Sequence, residues 1–242
     1  MSADGQFHPN YARGLLNGNQ LVRSLLDVKG QGAILTAWAR GHSWAPINAP
    51  WPLALYAMAQ FAASAWSGRT ATRDLAGRQA FIAAELGMPA RLGPWSLDDV
   101  LGMLSRPALG GPYARASTVR RIRDMLKSRP GRGLFGDGLR RILELELDQL
   151  ELLFLLEEIR WWHPNAAELP PSIPDEMGKR FRAVQTRIRI RRASTRSWYV
   201  RWVGEPAAFD NWWEGLFGAS ESLVAHGLAC LRKARRAARR GA

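Results

Sequence analysis

The longest regular pattern in the chain runs from Leu139 to about Trp161, and it limits the fold more than any other segment. Ile142, Leu143, Leu147, Leu150, Phe154 and Ile159 recur at helical spacing. Leu143 to Asp148 alternates like a strand, but the unbroken length of the pattern favours a helix. Its apolar residues cover much more than one face, so the helix is either central to a core or shared with a second subunit. Glu144, Asp148 and Glu151, spaced by four and three, share one face. Packing within its own chain is the plainer expectation. The other is a homodimer, in which such a helix sets the spacing of two DNA-binding halves.

Helical spacing dominates elsewhere. Leu15, Val22, Leu25 and Leu26 form one stripe, and Ile34, Leu35 and Trp38 follow Gly30 and Gly32. Thr72 to Leu86 is a helix stopped by Gly87 with Pro89 beyond. Ser96, with Asp98 and Asp99 behind it, reads as an N-cap and acidic first turn leading into Val100, Met103 and Leu104. A further helix from Ser117 to Lys127 carries Val119, Ile122 and Leu126 on one side. Ser43 to Gly68 is uncharged and has tryptophans near its ends, as a membrane span has. Its many alanines and its prolines point instead to a buried helix starting near Pro52.

Pro164, Pro170, Pro171 and Pro174 mark a linker over 163–174, dividing a helical core, 1–162, from a C-terminal part, 175–242. In that part the period becomes two. Arg187, Arg189 and Arg191 alternate with Ile188 and Ile190, and Trp198, Val200 and Trp202 alternate with Tyr199, Arg201 and Val203. Across the polar stretch Arg192 to Ser197 this predicts a β-hairpin. A last helix runs from about Ala207 through Trp212, Trp213, Leu216 and Leu231. The expected fold is mainly α with a C-terminal β-hairpin (α+β), a helical core, and a helix-turn-helix-like element at 96–128.

A chain of 242 residues with 47% hydrophobic content builds a core without disulfides or metal staples. The lone Cys230 forms no intrachain disulfide and suits a reducing compartment, so a cytoplasmic location is expected. Asp4, Arg13, Arg23, Asp27 and Lys29 interrupt the first thirty residues, and no secretory signal is expected there.

Charge is the most informative feature for function. Lys plus Arg is 34 against 21 for Asp plus Glu, a formal net charge of +13. Of those cations, 22 fall in three short stretches: Tyr113 to Arg132, Lys179 to Arg201, and the tail Arg232 to Arg240. The middle stretch holds nine basic residues and no acid. Such clusters repel one another unless an anion neutralises them, and phosphate polymers are the usual anion. Arginine is favoured over lysine, as suits a fork that binds phosphate or guanine with two parallel bonds.

Each stretch suggests its own contact. Arg120, Arg123 and Lys127 project together from the Ser117 to Lys127 helix, with Arg115 and Arg121 beside them. This resembles the recognition helix of winged helix-turn-helix proteins, with Gly131 to Gly138 as the wing. Arg187, Arg189, Arg191, Arg196 and Arg201 on the hairpin would lie along a nucleic-acid backbone, and Trp198 would stack on unpaired bases. Arg235, Arg236, Arg239 and Arg240 read as an electrostatic arm.

Nothing comparable points to catalysis. His8, His42, His163 and His226 have no pair at metal-ligand spacing. Gly131 to Gly136 matches G-x-G-x-x-G but follows a basic helix and Pro130 rather than a buried strand. Gly178-Lys179 lacks the rest of a phosphate-binding loop, and Cys230 beside Arg232 and Lys233 is read without a partnering base. No metal and no cofactor are expected. The expected function is nucleic-acid binding without chemistry, with duplex DNA first; the enzymatic alternative is a nuclease assembled from distant carboxylates. RNA or single-stranded DNA, bound as a subunit of a larger assembly, comes second. A peripheral membrane or scaffolding role for the tail is third.

Overall fold

A computed structural model describes residues 20–30, 55–67, 81, 83–85, 87, 91–96, 99–100, 112–128, 133–166, 168–170, 172–203 and 206–241. Among them are helix α1 (Leu55–Ser67), a hairpin of β1 (Arg91–Leu92) and β2 (Trp95–Ser96), and α2 (Pro112–Lys127). Then come α3 (Gly133–Trp162), α4 (Ser172–Val203), α5 (Pro206–Trp213) and α6 (Ala219–Gly241). Among the described residues helix dominates, and the one sheet is a two-stranded antiparallel pair, with Arg91 opposite Ser96. No helix among the described residues is long and apolar enough to cross a membrane.

Helix α3 is the axis of the fold and packs against α2, α4 and α6 of its own chain. Leu143, Leu145, Leu150, Leu152 and Leu155 are all buried. This is why apolar residues surround the helix: three neighbours need three faces. α2 contributes Val119, Ile122 and Met125 to the same core, α4 contributes Met177, Val184 and Ile188, and α6 contributes Val224, Leu228 and Leu231. Where α6 crosses α3, a Cβ on Gly227 would sit 2.7 Å from Ile159 Cγ2, so glycine is what lets the two backbones approach. Residues from both sides of the Pro-rich stretch enter this one core. Between them the chain makes a 3₁₀ turn, His163–Asn165, with Ala166 and Leu169 buried at the corner.

Local signals worked well where they rest on backbone chemistry. Gly87 takes φ +66° and its N–H donates to Ala84 O at 2.9 Å, the left-handed stop expected of a helix-ending glycine. Ser96 and Asp99 cap reciprocally: Ser96 Oγ accepts from the Asp99 N–H at 3.1 Å, and Asp99 Oδ2 accepts from the Ser96 N–H at 3.1 Å. The hydroxyl and N–H of Ser96 hold the Asp99 carboxyl below its ordinary range. Pro112 and Pro206 open α2 and α5, where a missing N–H is harmless.

Two expectations are corrected. The predicted β-hairpin over 187–203 is part of the single 32-residue helix α4. Its alternation is accidental: in the helical frame Ile188 is buried while Ile190 is 70% exposed, so the isoleucines do not share a face. The expected wing is also absent in part, because Gly133 to Gly138 forms the first turns of α3. Of the helix-turn-helix-like element expected at 96–128, residues 101–111 lie outside the described residues, and the helix expected from Ser117 already begins at Pro112.

Aromatic rings join α4 to α5. Tyr199 is buried with its centroid 5.0 Å from Trp212 and 5.5 Å from Phe209, and Trp213 meets Phe217 at 5.0 Å. The chain passes from α5 into α6 through a π-helical segment, Glu214–Gly218.

Candidate nucleic-acid interface

The Lys179 to Arg201 cluster divides by its position around α4. Arg187 and Arg191, one turn apart, face α3 and meet the acidic stripe seen in the sequence. Asp148 is 0% exposed; Arg187 Nε donates to its Oδ1 at 3.0 Å, and Arg191 Nη1 bonds Oδ2. Arg187 also binds Glu151 through Nη2, and Arg191 reaches Glu144 at 3.6 Å and its carbonyl at 3.0 Å. Burial holds the Asp148 carboxyl above its ordinary value, with Arg191 and Arg187 offsetting only part of that rise. Burial works against the Arg187 charge too, but the Asp148 hydrogen bond and Glu151 outweigh it and raise the guanidinium above its usual value. The pairing runs antiparallel along both helices, from Arg141 with Ser194 at 3.0 Å to Arg180 with Glu158 at 2.7 Å.

Arg187 and Arg191 thus have their forks engaged by the protein's own carboxylates, and Trp198, 7% exposed, has no face open to a base. Arg189, Arg196 and Arg201 point outward. Arg189 rims a cavity of about 230 Å³ opposite Glu214 and Glu221, and Arg192 pairs with Asp210 at 2.9 Å. In the tail Arg235 is half-buried and Arg236 exposed, while the side chains of Arg115, Arg239 and Arg240 lie outside the described residues.

The α2 cluster and part of the α4 cluster come together. A cleft of about 520 Å³ opens between α2 and α4 above α3. One wall carries Arg120, Arg123 and Lys127, the other Arg180 and Arg187, and Val119, Phe154, Leu155 and Val184 make the floor. Five cations face two carboxylates, Asp124 and Glu151, within the lining. The row expected to project together from α2 does so, exposed, on the side that looks across the cleft to α4. Arg121 instead lies on the Trp95 ring of β2, its Cζ 4.7 Å from the centroid.

These cations differ in availability. Arg120 is exposed and has no ion pair with a described residue. Lys127 pairs with Asp124 at 3.0 Å, both well exposed, an arrangement worth under about 1 kcal/mol that a phosphate readily replaces. Arg123 bonds Glu151 at 3.2 Å from a largely exposed position. Arg180 holds both oxygens of Glu158, and Arg187 is fixed from below.

Other chemistry is thin. Among the described residues, no three His, Cys, Asp or Glu side chains gather as a metal site. His226 lies one turn before Cys230, 3.5 Å from Sγ to Nε2, a neighbour that the i, i+4 spacing in the sequence contains but that the sequence reading missed. Comparison with protein families, curated proteins and solved structures finds no match for the chain.

Proposed function

We propose that this protein binds nucleic acid without catalysing a reaction, and that the cleft between α2 and α4 receives a single-stranded segment. The observation that carries this reading is the cleft's composition: two basic walls over an apolar floor. Phosphates would replace the weak Lys127–Asp124 pairing and add to the free charge of Arg120, while a base lies on the floor beside Phe154. A duplex is too broad for a gap between two neighbouring helices, so the arrangement favours RNA or single-stranded DNA. Duplex DNA is the second reading. It is supported by the capped helix start at Ser96 and by α2, which would form the two arms of a helix-turn-helix.

Fluorescence anisotropy with labelled single-stranded DNA, RNA and duplex of equal length, across a salt series, tests both. Single strands should bind more tightly, and Arg120→Ala with Lys127→Ala should reduce the slope of log affinity against log salt by roughly 0.7 per lost phosphate contact. Binding with no salt dependence, or unchanged in that variant, would refute the cleft. A sequence-dependent preference for duplex would favour the second reading.

A further inference from the structure

On a different face of α4 from the cleft, two guanidiniums converge over Gly178. A Cβ at that position would sit 2.5 Å from Nη2 of Arg232, on α6, and 3.6 Å from Nη1 of Arg182, one turn further along α4. Gly178 is itself buried. Other arginines that α4 presents to its neighbours meet a carboxylate: Arg180 meets Glu158, Arg187 and Arg191 meet Asp148, and Arg192 meets Asp210. The guanidiniums of Arg182 and Arg232 have no ion pair or hydrogen bond with a described residue; Arg182 only accepts, through its carbonyl, from the Thr186 hydroxyl at 2.8 Å. The nearby Lys179 is already paired with Glu176, at 3.9 Å, and Arg235 and Arg236 on the next turn of α6 add further positive charge.

Like charges brought together without a counterion repel, and a glycine inside a long helix weakens it relative to alanine. Both features make sense if an anion sits there. We propose that Arg182 and Arg232 form a binding site for a phosphate oxyanion, each fork donating to different oxygens, with Gly178 leaving room for the Arg232 head group. The ligand chemistry is that of a tetrahedral phosphate, whether free or within a nucleic-acid backbone. The site shares no residue with the cleft and stands without it.

Calorimetric titration with inorganic phosphate, at constant ionic strength in chloride, tests the proposal on the full chain. Wild type and Arg120→Ala should show one saturable site. Arg182→Gln and Arg232→Gln should each bind at least about tenfold more weakly, the loss expected for one charge-assisted hydrogen bond or more. Gly178→Ala should displace Arg232 and weaken binding while melting no lower than wild type, because alanine is the better helix former. No phosphate heat beyond the chloride control, or wild-type affinity in Arg232→Gln, would overturn the site. Its source follows from competition: a single-stranded oligonucleotide displaced by phosphate in the Arg120→Ala background identifies backbone phosphate, and simultaneous binding identifies a free anion. Loss of oligonucleotide binding in Arg120→Ala with phosphate binding intact would separate the two sites.

Discussion

Removing the Asp148 carboxylate should be among the most damaging single changes available to this fold. In Asp148→Asn, two guanidiniums of α4 lose the anion between them. At an effective dielectric of about 20, each contact at roughly 4 Å is worth about 4 kcal/mol before desolvation is counted. Breaking a buried pair by deleting one partner typically costs about 3–5 kcal/mol. Arg187 is 37% exposed and keeps Glu151, and Arg191 keeps Glu144, so the expected loss lies at the low end, about 3 kcal/mol. In a chain of this size that lowers the melting temperature by roughly 6–12 °C. Urea unfolding followed by circular dichroism measures it. A companion variant gives the argument its sharper test. Asp148→Leu with Arg187→Met and Arg191→Met removes all three charges together, and replacing buried ion pairs with well-packed apolar residues is often neutral or stabilising. The triple variant should therefore recover most of the loss. If Asp148→Asn falls within about 0.5 kcal/mol of wild type, or the triple variant is no better than the single one, the buried network does not hold α4 on α3 as reasoned.

Glu146 on α3 is densely surrounded, and burial pushes its carboxyl from 4.5 up to about 7. The folded chain therefore holds an extra proton between those values, so stability falls as pH rises from 4.5 to about 7 and stays lower above it. Glu146→Gln should be more stable than wild type at pH 8, by up to about 3 kcal/mol, and the two should converge at about pH 4, below the unfolded value of 4.5; equal melting curves at both values would contradict this. Gly227→Ala forces a methyl to 2.7 Å from Ile159 Cγ2, and after the helix-propensity gain a net loss of about 1 kcal/mol is expected, relieved by adding Ile159→Val. A more stable Gly227→Ala would show that α3 and α6 separate easily.

Much of the helical framework was legible because its signals are local. A glycine after Leu86, a serine three residues before Asp99 and an apolar stripe on α2 each specify backbone geometry directly. The period of α4 was harder to read, since Arg187 to Arg191 satisfies strand alternation and helical i, i+4 spacing equally well. What distinguishes the two lies in another element. Glu144, Asp148 and Glu151 on α3 repeat at spacings that match Arg187 and Arg191, so the acidic stripe and the basic cluster are complementary. Reading the charges as one surplus hid that match. The sequence also contained the α2 arginines, but what lies opposite them depends on α3 carrying both α2 and α4. The cleft, like the pairing of Arg182 with Arg232, exists only after helices distant in sequence meet.

The π-helical segment Glu214–Gly218 acts as a phase shift in the chain. A π turn takes up one residue more than an α turn, so all that follows is rotated by about 100° relative to an uninterrupted helix. Rewinding the segment as regular α-helix at unchanged length would swing Val224, Leu228 and Leu231 off α3 and carry Arg232 away from Gly178, whereas deleting one residue there would restore regular winding and keep them in place. Which residues of α6 point inward is therefore decided upstream of it, by how this one junction is wound.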